Sequence, residues 1–263
     1  MTTDRMRVSV ITVVRNGRDL IGATLDSIVG QTWGDREIIV VDGLSTDGTL
    51  DVIKRYSDRI HRLIVEPDNG IYDAMNKGIA AATGDWLIFM NAGDVFNSAE
   101  VLERVAGLLK DERPLLCGRY EKVWNGRSVL FDPQSMRPGV MPSSHQATFV
   151  SVDVARQNLF DLSLRVGSDY DQICRITRGS SEPIQFTDIV IATVEGDGYS
   201  SSNPYRVNQD YRNIIIRHFG RTRGWAWYIR TVVWITATSL IRAIVPHAVT
   251  ARVRRFRSGA RSA

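Results

Sequence analysis

Residues 84–94 read GDWLIFMNAGD: five apolar residues in a row, Trp86 to Met90, then Asn91, two small residues and a single carboxylate, Asp94. A short apolar run closed off by polar residues reads as a strand buried on both faces, the kind found in a parallel sheet covered by helices. Strand packing gives no reason for an acid at the tip. Asp94 therefore asks for a chemical explanation.

The same grammar extends outward in both directions. Arg7–Val14 (RVSVITVV), Arg36–Asp42 (REIIVVD) and His61–Glu66 (HRLIVE) are three further strand candidates. Helical spacing fills the gaps at Asp19–Gln31, Leu50–Lys54 and Gly70–Thr83, and resumes over Ser98–Lys110 after the strand Asp85–Met90. Strands alternating with helices predict βαβ units: an α/β fold with a mostly parallel central sheet and helices on both faces. From Pro114 the pattern changes. LLCGRYEKVWNGRSVLF predicts a hairpin turning at Asn125-Gly126, His145–Val150 and Pro183–Val194 read as strands, and Ser168–Arg178 reads as a helix.

With 263 residues, 43% hydrophobic and 24% charged, the chain suits one large domain or a domain with an appendage. Cys117 and Cys174 lie far apart, match no metal-binding spacing, and read as small buried residues in a reducing compartment. The opening MTTDRMRVSVITVVRNG has no apolar segment followed by a cleavage site, so a cytoplasmic location is expected. The net charge of +4 conceals an asymmetry. From Tyr211 onward there are eleven arginines and no lysine or acid, which leaves −7 for residues 1–210. The basicity belongs to the tail alone.

In an open parallel sheet, ligands bind beyond the carboxyl ends of the strands. Here those ends carry Arg15 and Asn16, then Asp42, then Glu66 and Asp68, then Asn91 and Asp94. Either the four ends line one cleft, or these residues solvate loops and cap helices, as is expected of Asp47. Asp73 and Lys77 share a helix face, as a solvated i,i+4 pair or as part of the cleft. Asp169 and Asp171, in SDYD, are either acids favourable to a helix N-terminus or groups with work to do. His145, before a strand, is open to a structural or a functional reading.

SVITVVRNG, IIVVDGLSTDGT, EPDNGIYDAMNKGIAAATGDWLIFMNAGDVF and SDYDQICRI, in that order, resemble the family 2 inverting glycosyltransferases of the GT-A nucleotide-sugar fold. The nearest branch is similar to the bacterial exopolysaccharide and cell-surface glycolipid enzymes related to the colanic acid group. The likeness covers about residues 7–200. It implies a catalytic domain over residues 1–210, with a nucleotide-binding half near 7–113 and an acceptor half near 114–210, and a helical tail over 211–263.

The resemblance also assigns roles. Asp42 would accept hydrogen bonds from the nucleobase or ribose, as a carboxylate at a strand end can. Asp68 and the Gly70 turn would shape the same pocket, with Arg15, Asn16, Asp73, Lys77, Asn91 and Ala92 completing the donor-binding set. Asp94 would hold Mg²⁺ or Mn²⁺ against the donor diphosphate, since hard cations prefer oxygen ligands. Where many relatives carry a run of acids this chain has NAGD, which leaves one carboxylate. Asp169 would be the general base that takes the acceptor proton. Asp171 would support the acceptor or the helix start, Arg175 would approach the diphosphate or pair with an acid, and His145 would lie near the acceptor or diphosphate. The rival reading, prompted by Asn91, is a non-catalytic membrane-associated subunit that binds sugar nucleotides.

The tail carries Trp225, Trp227, Tyr228 and Trp234 among its arginines. Its longest uncharged stretch, Thr231–Ile241, is eleven residues, well short of the roughly 20 needed to cross a bilayer. Arginine beside aromatics fits an amphipathic helix lying on an anionic leaflet. The competing fit is a helix packed on the domain or on a second copy in a homodimer. The membrane reading predicts a peripheral protein on the inner face of the plasma membrane, a lipid-linked or saccharide acceptor, and no nucleic-acid partner.

Overall fold

Val8–Val14 (β1) is buried along its whole length and lies between two parallel neighbours, Arg36–Asp42 (β2) and Trp86–Phe89 (β4). This computed structural model describes residues 6–109, 113–124, 126–178, 182–195 and 204–244. It divides into two compact units, Met1–Ser202 and Asn203–Ala263.

In the first unit, Arg62–Val65 (β3) extends the parallel set on the far side of β2. The remaining strands are Val95–Phe96 (β5), Leu115–Trp124 (β6), Arg127–Phe131 (β7), Thr148–Ser151 (β8) and Ile184–Glu195 (β9). The sheet order is β3-β2-β1-β4-β8-β6-β9-β5, with β7 paired to β6. The parallel arrangement expected from the sequence holds from β3 to β4. Beyond β4 the pairing is mixed: β8 runs antiparallel to both β4 and β6, β9 parallel to β6, and β5 antiparallel to β9. A tight hairpin such as β6–β7 joins antiparallel strands, whereas each parallel step requires a crossover.

Alternation along β1 and β2 divides the core between two faces. Val8, Val10, Ile38 and Val40 pack with Ile21, Leu25 and Ile28 of Arg18–Val29 (α1), Ile53 of Thr49–Ile53 (α2), and Val101, Leu102 and Val105 of Val101–Ala106 (α4). Ile11, Val13, Ile39 and Val41 pack with Ala74, Met75 and Ile79 of Ile71–Ala81 (α3), Val152 and Ala155 of Val152–Gln157 (α5), and Ile173 and Ile176 of Ser168–Ile176 (α6). Burying such side chains contributes about 1.5–3 kcal/mol each. At Gly78, a Cβ would stand 2.3 Å from Ile11 Cγ2, so α3 can sit this close to β1 only with glycine there.

The local differences from the sequence reading have visible causes. The helix expected from Ser98 begins at Val101, because Gln31 accepts from Leu102 N (3.0 Å) and donates to Ser98 O (2.7 Å), a cap supplied from a distant position. The strand expected from His145 opens with a 3-10 turn, His145–Ala147, and only then becomes β8. Lys110 and Asn125 lie outside the described residues.

The second unit holds Pro204–Phe219 (α7) and Arg221–Ile244 (α8), joined at Gly220 with φ 94°. The boundary expected at 210/211 falls inside α7, whose helical spacing runs on without a break. At Gly224 a Cβ would meet Ile216 Cγ1 at 2.4 Å, which explains how the two helices close on each other. Tyr211 stacks on Trp227 at 5.7 Å, and Arg212 lies over the rings of Trp225 and Tyr228 at 4.8 and 5.0 Å. Among the described residues no helix is long and apolar enough to cross a membrane. Residues 245–263 of the expected tail lie outside the described set.

Candidate active site

Register brings the strand ends together. Val14 pairs with Asp42 and Asp42 with Val65, while Met90 N and Ala92 N donate to Ile11 O and Val13 O. Arg15–Gly17, Gly43–Asp47, Glu66–Gly70 and Asn91–Asp94 therefore emerge along one edge of the sheet.

Asp42 is fully buried. Its Oδ1 accepts from Ser45 N at 2.8 Å, and its Oδ2 is buried with no partner. An unpaired buried acceptor costs about 1–3 kcal/mol, so this oxygen marks a place for a ligand donor. Around it the loops after β1 and β2 are stitched together. Asn16 N donates to Ser45 Oγ (2.8 Å), and Thr46 N donates to Asn16 Oδ1 (2.9 Å). Asn16 and Leu44 both take left-handed backbone, φ 52° and 59°, a costly conformation for leucine. Asp47 is a capping residue, accepting from Arg18 N and Thr49 N at 3.0 Å each.

Gly43 leaves room for Asp68, whose Oδ2 would stand 2.0 Å from a Cβ there, with Arg15 Cδ at 3.3 Å. Asp68 Oδ1 in turn accepts from Gly70 N at 3.0 Å. Arg15, Gly43 and Asp68 thus converge. Lys77 takes the ion-pair option: its Nζ lies 3.0 Å from Glu66 and 3.6 Å from Asp73, and it also donates to Pro67 O. Asp73 further accepts from Asn69 N at 2.9 Å. These two residues, expected at the donor, brace the 66–73 turn, because the turn supplies their partners first.

At the end of β4, Gly93 (φ 101°) reverses the chain and Asp94 N returns to Asn91 O at 2.9 Å. Ala92 lies beside Gly17, where a Cβ would stand 3.5 Å from Ala92 Cβ and 2.8 Å from Val14 Cγ2, so it is the turn back over Val14 that needs glycine. Asp94 is nearly buried and accepts from Gln146 Nε2 at 2.8 Å. Burial pushes its pKa above the usual carboxylate range, against the pull of Gln146 and the charge of His145. Asn91 Nδ2 meets His145 Nε2 at 3.1 Å, and Asn91 Oδ1 is buried without a partner. Among the described residues no group of three or more His, Cys, Asp or Glu could hold a metal ion alone. One carboxylate at this strand end fits a cation that takes its other oxygens from a diphosphate.

Asp169 opens α6 just after Gly167, whose φ of 80° provides the turn. Its Oδ1 accepts from Tyr170 N at 2.9 Å and lies 3.5 Å from Tyr72 Oη, and its Oδ2 lies 3.5 Å from His145 Nδ1. Asn91 Nδ2 lies against Nε2 of His145, and the Nδ1 edge of the ring faces Asp169. Burial would raise the pKa of Asp169, but the hydrogen bond and charge of His145 and the Tyr170 N–H outweigh it, holding the group below the usual carboxylate range. It is ionised at neutral pH.

Asp171 and Arg175 take the second of the options open to each, the helix start for Asp171 and an acid partner for Arg175. Asp171 is fully buried and bound to Arg175 Nε at 2.9 Å, while Arg175 Nη2 donates to Leu159 O at 2.6 Å. Four residues apart on α6, they satisfy each other and tie the helix to the preceding loop, and no oxygen of Asp171 is left exposed to an acceptor. Tyr72 and Gln146 went unpredicted. Tyr72 lies inside the quoted EPDNGIYDAMNKGI stretch and Gln146 sits next to His145, but only the fold shows which acids they reach.

The Glycosyl transferase family 2 profile matches residues 9–148, more than half of the chain. A PGL/p-HBAD biosynthesis glycosyltransferase of Mycobacterium bovis is 43% identical over 109 residues, 40% of this chain and 43% of that protein, so the match spans less than half of the relative's length. TarS residues 1–349 of S. aureus, in complex with UDP-GlcNAc, superpose with a TM-score of 0.66 at 20% identity, covering 92% of this chain and 77% of theirs. The mannosyltransferase PcManGT of Pyrobaculum calidifontis, in complex with GDP-Man and Mn²⁺, gives 0.64 at 18% identity, covering 98% and 81%. The fold is that of the GT-A-like glycosyltransferases.

Proposed function

The chain belongs to glycosyl transferase family 2, and from that premise we propose that it is a metal-assisted, inverting enzyme. It moves a sugar from a nucleotide-sugar donor to a hydroxyl of a lipid-linked or saccharide acceptor. The observation that carries this reading is the pairing of two unlike carboxylates through adjacent residues: His145 faces the ionised Asp169, and Gln146 holds Asp94.

In this reading Asp42 receives a donor N–H or O–H on its unpaired Oδ2, and the Gly43–Asp68 contact sets the pocket wall. Asp94 would hold Mg²⁺ or Mn²⁺ together with the diphosphate, where the cation supplies Lewis-acid stabilisation of the departing charge. Asp169 takes the proton of the acceptor hydroxyl as its oxygen attacks the anomeric carbon and the bond to the diphosphate oxygen breaks. A single displacement of this kind inverts the anomeric centre. His145 keeps Asp169 ionised and oriented, and Asn91 holds the far edge of the His145 ring. The non-catalytic alternative rested on Asn91, which here belongs to the network around the base. Solved structures of the same fold carrying UDP-GlcNAc, or GDP-Man with Mn²⁺, support a nucleotide-sugar donor and a divalent ion.

The second unit fits attachment to an anionic membrane surface at the inner face of the plasma membrane. Trp225, Ile229, Val233 and Trp234 are exposed along α8, in a segment that carries eleven arginines and no acid from Tyr211 onward. A panel of nucleotide sugars with Mn²⁺ tests the catalytic reading. One donor should be slowly hydrolysed and transferred with inversion, and Asp169→Asn should lose about 10²–10⁴-fold in transfer while still binding donor. Full transfer by that variant would remove Asp169 from the role.

A further inference from the structure

Tyr72 is the second residue of α3, and its hydroxyl is used from three directions. Gly167 N and Ser168 N, at the start of α6, donate to Oη at 3.0 and 3.2 Å. With the oxygen accepting from both, the phenol proton is left for Asp169 Oδ1 at 3.5 Å. The ring is stacked on Phe160 at 5.4 Å with 26° between the planes. One turn further along α3, Asn76 bonds Phe160 in both directions, accepting from its N at 2.9 Å and donating to its O at 3.0 Å. α3 thus grips the chain leading into α6 at two points, and the second is the base itself.

The other end of this arrangement lies in the donor pocket. α3 begins at Gly70, whose N–H is bound by Asp68, the carboxylate set against Gly43 beside Asp42. Taking Asp169 as the base, we propose that Tyr72 is a positioning residue for this reaction. Its hydroxyl aims the Asp169 carboxylate and ties the start of α6 to the turn that shapes the donor pocket. Among the described residues, the 145–147 turn presents His145 to Asp169, α3 presents the Tyr72 hydroxyl, and α6 adds only the backbone N–H of Tyr170. Of these, Tyr72 alone meets both the carboxylate and the backbone that carries it.

Removing the hydroxyl while keeping the ring separates this role from simple packing. Tyr72→Phe in the full chain keeps the stack on Phe160 but takes the acceptor from Gly167 N and Ser168 N, so it should melt somewhat below the parent, and its kinetics are read well below that melting temperature. Its kcat should fall about two- to tenfold, the loss expected when a hydrogen bond of ordinary strength is deleted, with the donor KM unchanged. The acid limb of its pH–rate profile should move to higher pH, because a carboxylate that loses a donor is protonated more easily. Tyr72→Leu serves as the packing control. If Tyr72→Phe keeps the parent kcat and pH profile while Tyr72→Leu loses activity, the residue only fills space and the proposal fails. Asp169→Asn, measured alongside, separates the two layers: if it transfers sugar at the parent rate, the base assignment falls and the role of Tyr72 with it. If Asp169→Asn is inactive and Tyr72→Phe is unchanged, the Tyr72 proposal alone is lost.

Discussion

Gln146 donates from Nε2 to Asp94 Oδ2 at 2.8 Å. Its neighbour His145 faces Asp169, so one 3-10 turn ties together the carboxylate assigned to the metal and the one assigned to the acceptor proton. Asp94 is already pushed toward protonation by burial, and Gln146 works against that push. Gln146→Ala should therefore raise the Asp94 pKa further and move the acid limb of the metal-dependent rate to higher pH. A hydrogen bond to a charged group contributes about 1.5–3 kcal/mol, so the loss should deepen as pH falls and be recovered as pH rises. Rates across a pH series at saturating Mn²⁺ measure it. A uniform loss at every pH would mean that Gln146 only shapes the turn.

Asp94→Asn should lose metal-dependent transfer yet make the fold slightly more stable. The folded-state pKa is raised, so ionising this group costs stability once pH rises above the unfolded value, and the full cost stands above the folded value. Asparagine keeps an acceptor for Gln146 without the charge. A gain of about 0.5–2 kcal/mol at pH 7 is expected, shrinking as pH falls below the raised pKa. Melting temperatures of both proteins at several pH values give the comparison. A less stable variant at pH 7 would show that the charge is better compensated than its burial suggests.

Asp42→Asn should weaken donor binding with little change in kcat at saturation. The unpaired Oδ2 accepts from the ligand in the proposed pose, and an amide there offers a donor or only one acceptor. Losing that match at a buried site costs about 1–3 kcal/mol, roughly five- to 150-fold in affinity. Calorimetry with the nucleoside diphosphate alone reads this without the acceptor. Parent-like affinity would move the nucleobase away from Asp42.

What the sequence made legible was whatever depends on period and on strand ends. The alternation of Val8–Val14 and Arg36–Asp42 sets which residues face which helix layer, and the register then places Arg15, Asp42 and Asn91 on one edge without further information. Long-range side-chain contacts were not legible. Gln31 caps α4 from 71 residues away, and Tyr72 reaches α6 across 95 residues of chain. Asp73, Lys77, Asp171 and Arg175 have the residue types of a site, but i,i+4 geometry let them satisfy one another first. Composition cannot separate a spent charge from an available one.

The exposed face of α8 should bind vesicles containing anionic lipid. Eleven arginines follow Tyr211 with no acid among them, and each basic residue near an anionic surface contributes about 1 kcal/mol, attenuated by salt. Val233 and Trp234, 61% and 65% exposed, add an apolar term without help from the fold. Replacing both with Asp in the full chain places two acids where the lipid would be, at positions whose exposure spares the core. The double variant should lose co-sedimentation with anionic vesicles while retaining donor hydrolysis, and the parent should release as salt is raised. Light scattering on both proteins distinguishes the other occupant of this face. If the parent is a dimer that the double variant breaks, and vesicle binding is the same for both, α8 joins two copies of the chain and the membrane assignment is wrong.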